Sequence, residues 1–153
     1  MTPALADYLA FDWNAMDAWY EEVDVHPRDP FHRVDTRRSS RHLRLELGGL
    51  VVAETRRPTL LFETSLPTRY YIPPTDVRLE LLEPSDHTTG CPYKGHARYY
   101  NVRLGDELHR NLVWSYSTPR AAALDIAGMM AFYTEKLEAL YIDGEKVKKP
   151  AVF

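Results

Sequence analysis

The stretch Leu43-Arg44-Leu45-Glu46-Leu47-Gly48-Gly49-Leu50-Val51-Val52-Ala53 decides the fold. Leucine alternates with charge from Leu43 to Leu47. In a strand, successive side chains point to opposite faces, so this pattern gives one apolar and one wet face. Gly48-Gly49 supplies the positive backbone angles of a two-residue turn, and Leu50 to Ala53 returns as the second strand. A β-hairpin is therefore expected here, and a mainly β chain around it.

Towards the carboxy terminus, short extended segments follow at Thr59 to Thr64, Thr68 to Ile72, Val77 to Leu82, His96 to Leu104 and Leu112 to Ser117. Prolines at 58, 67, 73, 74, 84 and 92 punctuate them, which suits many short strands with edges and corners. Gly105-Asp106 predicts a reversal between the last two. A carboxy-terminal helix is expected next. Thr118 can cap it, Pro119 fits its first turn, Ala121 to Ala123 favour its growth, and Ile126, Met130, Tyr133 and Leu137 form one apolar side. Gly128 weakens that helix. Asp143-Gly144 predicts a second hairpin, and Lys146, Lys148 and Lys149 a solvated end.

Towards the amino terminus, Trp13, Met16, Tyr20 and Val23 recur at steps of three and four and predict a helix. His26-Pro27 and Asp29-Pro30 end it, because a residue before proline leaves the helical region. Residues 1–38 are thus expected to form a helical arm and an extended linker, and residues 39–150 a β-rich domain. The segment from Phe11 to Tyr20 can be laid over Phe132 to Tyr141, as if the arm were the tail of a preceding copy in a tandem protein.

With 153 residues, 44% hydrophobic and 27% charged, the chain suits one domain and is not a disordered polymer. A net charge of -3 gives no general pull towards nucleic acid, and none is expected as a partner. Acidic residues crowd the first 30 positions, and Arg33, Arg37, Arg38, Arg41 and Arg44 follow. Mutual neutralisation and an anion-binding surface both fit that reversal. Cys91 is the only cysteine, which excludes an internal disulfide and a four-cysteine metal site. No apolar run approaches membrane-spanning length, and the first residues show no basic stretch before an apolar one. A cytoplasmic location without a membrane partner is expected.

Reactive groups concentrate in Thr88-Thr89-Gly90-Cys91-Pro92-Tyr93-Lys94-Gly95-His96. A cation at Lys94 would favour the Cys91 thiolate as a nucleophile. Lys94, Thr89 and turn N–H groups would equally hold an anion, and Cys91 would equally serve as a buried structural thiol. Glu63 breaks the apolar set Leu60, Leu61 and Phe62, so a buried carboxylate there requires a cation, with Arg57 or Arg69 in reach along the sequence. Asp76 belongs to the same polar group, and Tyr70, Tyr71, Tyr99, Tyr100, Trp114 and Tyr116 are candidates for either pocket wall or core.

His26, Asp29, His32 and Asp35 share one side of an extended, three-residue turn, but neighbours lie roughly 9 Å apart at about 3.1 Å per residue. Salt bridges with the nearby arginines fit better, and no metal site is expected. The usual phosphate-loop, dinucleotide, zincin and hydrolase motifs are absent, and no cofactor is indicated.

Several motifs together resemble one family. They are Val52-Ala53-Glu54-Thr55-Arg56-Arg57-Pro58, Leu61-Phe62-Glu63, Arg69-Tyr70-Tyr71-Ile72-Pro73-Pro74 with Asp76-Val77, Cys91-Pro92-Tyr93-Lys94-Gly95, Trp114-Ser115-Tyr116, Pro119, Ile126-Ala127-Gly128 and Phe132-Tyr133. Across residues 39 to 145 the chain resembles the bacterial and fungal family of unknown function with a beta-tent fold and a nucleotidyltransferase-like label. That resemblance implies antiparallel β-sheets, and residues 11 to 35 resemble the joint between copies in tandem members. The chain has no Gly-Ser pair followed by closely spaced aspartates, so the label brings no catalytic residues with it.

The functional expectation is a soluble domain binding a small anionic or nucleotide-like molecule, with catalysis left open. Cys91, Lys94 and Glu63 are the catalytic candidates, and Arg57, Arg69, Tyr71, Asp76, Thr89, Trp114 and Tyr116 the ligand-binding ones. The alternative is a non-catalytic interaction or assembly domain. A homodimer is expected if the apolar side of the arm is buried on a second copy.

Overall fold

The computed structural model describes residues 19–20, 24–25 and 31–149. Its strands are β1 (Trp19–Tyr20), β2 (Asp24–Val25), β3 (Val34–Arg38), β4 (Leu43–Leu47), β5 (Leu50–Thr55), β6 (Thr59–Glu63), β7 (Arg69–Ile72), β8 (Leu82–Cys91), β9 (Gly95–Leu104), β10 (Glu107–Ser115), β11 (Met130–Phe132), β12 (Ala139–Ile142) and β13 (Glu145–Lys146). One antiparallel sheet has seven strands in the order β3-β6-β7-β11-β10-β9-β8, and a second has four in the order β13-β12-β4-β5. The mainly β class is what the alternating pattern requires.

The two hairpins expected from their turn residues are present. Gly48 and Gly49 join β4 to β5 at φ of 57° and 74°, and Asp143 and Gly144 join β12 to β13 at 54° and 87°. Positive φ at both central positions gives the turn a twist that matches the flanking strands. Space also restricts Gly48, where an added Cβ would lie 2.7 Å from Leu104 Cδ1.

The expected carboxy-terminal helix does not form. Ala121–Ile126 is a short 3₁₀ stretch, Met130–Phe132 is a strand, and Thr134–Lys136 is another 3₁₀ turn. Gly128 stands at φ 69°, outside the helical region, and its N–H bonds to the Tyr116 carbonyl at 2.8 Å. The apolar residues that suggested one helical side are divided between two cores: Ile126 belongs to one, Met130 and Leu137 to the other.

Among the described residues no amino-terminal helical arm is shown. Trp19–Tyr20 pairs antiparallel with Asp24–Val25, so Tyr20 sits in a strand. Trp13, Met16 and Val23 lie outside the described residues, as do His26 and Asp29. Val34–Arg38, within the expected linker, is an edge strand of the large sheet. Val77 to Leu82, expected as a strand, is instead a β-bridge at Val77 and a 3₁₀ turn at Leu79–Leu81.

Strand alternation divides the large sheet into two working faces. Leu43, Leu45, Leu47, Val52 and Ala53 of the small sheet pack with Ile72, Val102, Val113, Met130 and Phe132 of the large one, forming the core between the sheets. The opposite face carries Leu61, Tyr71, Ala97, Tyr99, Trp114, Tyr116 and Ala131, covered in part by Ala123 and Ile126. Tyr70 and Tyr71 show the division: Tyr70 packs on the inter-sheet core and Tyr71 on the outer cluster.

Candidate functional site

Cross-strand register gathers most of the expected residues on that outer face. Leu61 pairs with Arg69, Thr59 with Tyr71, Tyr71 with Ala131, and Ala131 with Trp114, which pairs in turn with Tyr99. Paired residues share a face, and so do residues two apart along a strand. Glu63, Arg69, Tyr71, Trp114, Tyr116 and Tyr99 therefore lie on one side. On the adjoining edge strand, Thr89 pairs with Ala97 and Cys91 with Gly95, bringing these two to the same side.

Glu63 is at the centre of a charged group. Its side chain is only 5% exposed, with Lys94 at 12%. Lys94 Nζ donates to one carboxylate oxygen, and His32 Nε2 lies 3.0 Å from the other. The His32 ring is stacked on Tyr93 at 4.2 Å, which fixes its approach. Lys94 arrives from the turn between β8 and β9, where Gly95 adopts φ 101° and the Lys94 carbonyl accepts the Arg120 N–H at 3.0 Å. The buried carboxylate does find a cation, but this is Lys94 with His32 beside it, not Arg57 or Arg69. Because the Lys94 charge is directed at Glu63, it is not a dedicated partner of Cys91.

Arg69 forms the second buried pair, with bonds of 2.7 and 3.0 Å to Glu135. Its guanidinium also lies 5.5 Å from the ring centres of both Trp114 and Tyr133. Trp114 Nε1–H donates to the Tyr71 hydroxyl at 3.1 Å. Thr89 and Tyr99 share a hydrogen bond of 3.1 Å, and the Tyr99 and Tyr133 hydroxyls are 3.4 Å apart. Burial pushes Tyr71, Tyr116 and Tyr133 well above the ordinary tyrosine range, so these phenols remain protonated.

Arg57 and Asp76 are placed elsewhere. Arg57 holds both oxygens of Asp76, at 3.1 and 2.9 Å, and also bonds Thr75, while Thr55 donates to Asp76 at 2.6 Å. This ties the corner after β5 to the 3₁₀ turn after β7, and among the described residues it shares no side-chain hydrogen-bond partner with Glu63 or Arg69. The Arg57 hydrogen bond leads in holding Asp76 well below the usual carboxylate range, with Thr55 and Thr75 adding to it against partial burial.

His32, Tyr133 and Glu135 are site members that were not expected. His32 was read as an arginine partner, and Glu135 lay within the expected helix, where a charge marks a wet side. Among the described residues no group of His, Cys, Asp and Glu is arranged to hold a metal, and Asp35 pairs with Arg33 at 2.8 Å. A separate hollow of about 190 Å³, lined by Tyr70, Thr134, Leu140, Lys148 and others, holds one of the aromatic wall candidates, Tyr70, but none of the catalytic or ligand-binding candidates.

A family model described as "Domain of unknown function (DUF427)" matches residues 35–143. The chain belongs to that family. The DUF427 match spans β3 to the turn after β12, and so includes Glu63, Arg69, Cys91, Lys94, Trp114 and Tyr116. The family's nucleotidyltransferase-like name comes with an unknown function. No curated protein matches the chain. Among the described residues, no helix is long and apolar enough to cross a membrane.

Proposed function

We propose that this DUF427 domain binds a small anionic or nucleotide-like molecule on the outer face of its large sheet. Arg69, Tyr71, Thr89, Trp114 and Tyr116 contact the ligand, and Glu63, Lys94 and Cys91 are the groups available for chemistry. Arg57 and Asp76 serve as a corner clamp. The observation that carries this reading is Glu63, 5% exposed and held between Lys94 and His32 at the edge of an aromatic wall. Burying an acid and a base together is a poor route to stability, and such groups in a polar, aromatic-lined setting mark functional sites.

Thermal-shift titration with nucleotides, sugar phosphates and small carboxylates tests it. A true ligand raises the unfolding midpoint in a concentration-dependent way, and Lys94→Met abolishes the effect. The proposal fails if no compound stabilises the wild-type chain, or if Lys94→Met responds as the wild type does.

The second reading, an interaction or assembly domain that includes the expected homodimer, is favoured by apolar side chains on β6 and in the turn after it, next to the edge strand β3. Phe62 and Leu66 are exposed there, where an isolated domain gains nothing from them. Sedimentation across a range of concentrations tests it: a mass that stays at 17.7 kDa excludes the dimer.

A further inference from the structure

We propose that the hollow beside Tyr70 is a second binding site, which takes a small aromatic carboxylate with its ring inside and its acid group at the rim. This goes beyond the outer-face reading and uses none of its residues.

The walls come from both sheets. Tyr70 stands on β7 of the large sheet, Leu140 on β12 of the small one, and Thr134 in the 3₁₀ turn that leads to β12. The chain after β13 closes another side, where the Val147 N–H donates to the Leu140 carbonyl at 2.8 Å and Lys148 and Lys149 follow. The volume is about 190 Å³. At about 30 Å³ of liquid per water, that is room for about six waters, or for one ring with a short substituent.

The inner part is apolar. Tyr70, Leu140 and Val147 all belong to or pack against the core between the sheets. The Tyr70 ring offers a flat partner a face or an edge. Burial raises the Tyr70 phenol above its ordinary range, against the pull of Arg41, so it stays neutral.

The rim is positive. Lys148 and Lys149 are exposed, and among the described residues neither forms an ion pair and no Asp or Glu lines the hollow. On the outer face, by contrast, Lys94 and Arg69 are each engaged by a glutamate. A wider depression that shares Val147 has Asp143 and Glu145 beside Arg41 and Lys146, so its charges offset one another. An apolar floor under two uncommitted cations selects a molecule with one apolar part and one negative group. A singly charged carboxylate is preferred to a doubly charged phosphate, which would lose more hydration beside that floor.

The probe is benzoate, followed on the isotope-labelled full chain through its backbone amide resonances. Benzoate should shift the amides of Tyr70, Thr134, Leu140 and Val147 saturably and leave those of Lys94 and Trp114 in place. Acetate, which lacks the ring, should leave all of them in place. Lys148→Gln combined with Lys149→Gln should weaken benzoate about fivefold at low salt, the loss of two exposed charge contacts. The same variant should bind the neutral analogue benzamide as the wild type does. Both lysines are exposed, so the fold is expected to be untouched. The proposal is overturned if benzoate leaves the hollow's amides unmoved, if acetate shifts them equally, or if the double variant binds benzoate with wild-type affinity. Benzoate shifts confined to Lys94 and Trp114 also overturn it, while supporting the outer-face site. Saturable shifts at the hollow that the two lysine changes weaken uphold it even where the outer face binds nothing.

Discussion

Arg69 and Glu135 form a two-pronged ion pair that ties β7 to the 3₁₀ turn at Thr134–Lys136, with bonds of 2.7 and 3.0 Å. Both side chains are largely buried, so the fork geometry matters as much as the charge. Burial is the largest single influence on Glu135 and opposes its ionisation, yet the Arg69 hydrogen bonds, a backbone hydrogen bond and the charges of Arg69 and Lys136 together hold its carboxyl below the usual range. Arg69→Lys should cost about 2 kcal/mol, because an ammonium cannot reproduce the fork or lie flat over Trp114 and Tyr133. Arg69→Met should cost about 3 kcal/mol and leave Glu135 unpaired. Urea unfolding of the two variants checks the order.

The Glu63–Lys94 pair should show strong coupling. Removing Lys94 as Met leaves a carboxylate 5% exposed beside His32 alone, a loss of about 3 kcal/mol. Glu63→Gln with Lys94→Met should together cost less than the two single changes summed. A double-mutant cycle by denaturant unfolding reads the difference, and additivity would show that the two side chains act separately.

Asp76 predicts an acid sensitivity with a definite sign. Its folded carboxyl is held below its unfolded value, chiefly by Arg57. The resulting stability is complete above the unfolded pKa, near about 4, and is lost as pH falls towards the folded value. Wild type should therefore lose stability more steeply than Asp76→Asn between about pH 4 and pH 2. Parallel curves would show that the clamp does not titrate on unfolding.

The two glycines of the first hairpin should respond unequally. Gly49→Ala meets open space and should cost about 1 kcal/mol, from its positive φ alone. Gly48→Ala adds a clash with the Leu104 side chain and should cost about 2 kcal/mol. Equal thermal shifts for the two would mean that Leu104 moves aside freely.

Legibility in the sequence followed local physics. The Leu43–Leu47 alternation, Gly48-Gly49 and Asp143-Gly144 each state their conformation within a few residues, and the hairpins stand where they were expected. Met130–Phe132 does not: strand β11 lies between β7 and β10 and is buried on both faces, so it lacks the alternation that marks a strand. Its neighbours then imitated a helical side. Most of β8 escaped notice for the opposite reason, because a polar edge strand has little apolar pattern to display.

The site divides in the same way. Glu63 announced itself as an acid in an apolar run that needs a cation. Its true partners, Lys94 and His32, are each 31 residues away, and only the pairing of β3 with β6 and the turn after β8 bring them in. Glu135 carried no local signal at all, since it sits in a 3₁₀ turn and its partner, Arg69, is on β7 far away in the sequence.

Tyr70 and Tyr71, adjacent in sequence, serve opposite sides of one sheet. The same strands thus transmit two independent messages, one read by the interior and one by the outer surface, separated only by odd and even positions. Substitutions at Tyr71 or Trp114 alter the outer surface without consulting the residues that make the sandwich. A one-residue deletion just before Arg69 would be of another kind, since it would exchange the two messages along β7 at a stroke. Natural variation in such a protein should therefore run freely in side chains and hardly at all in strand length.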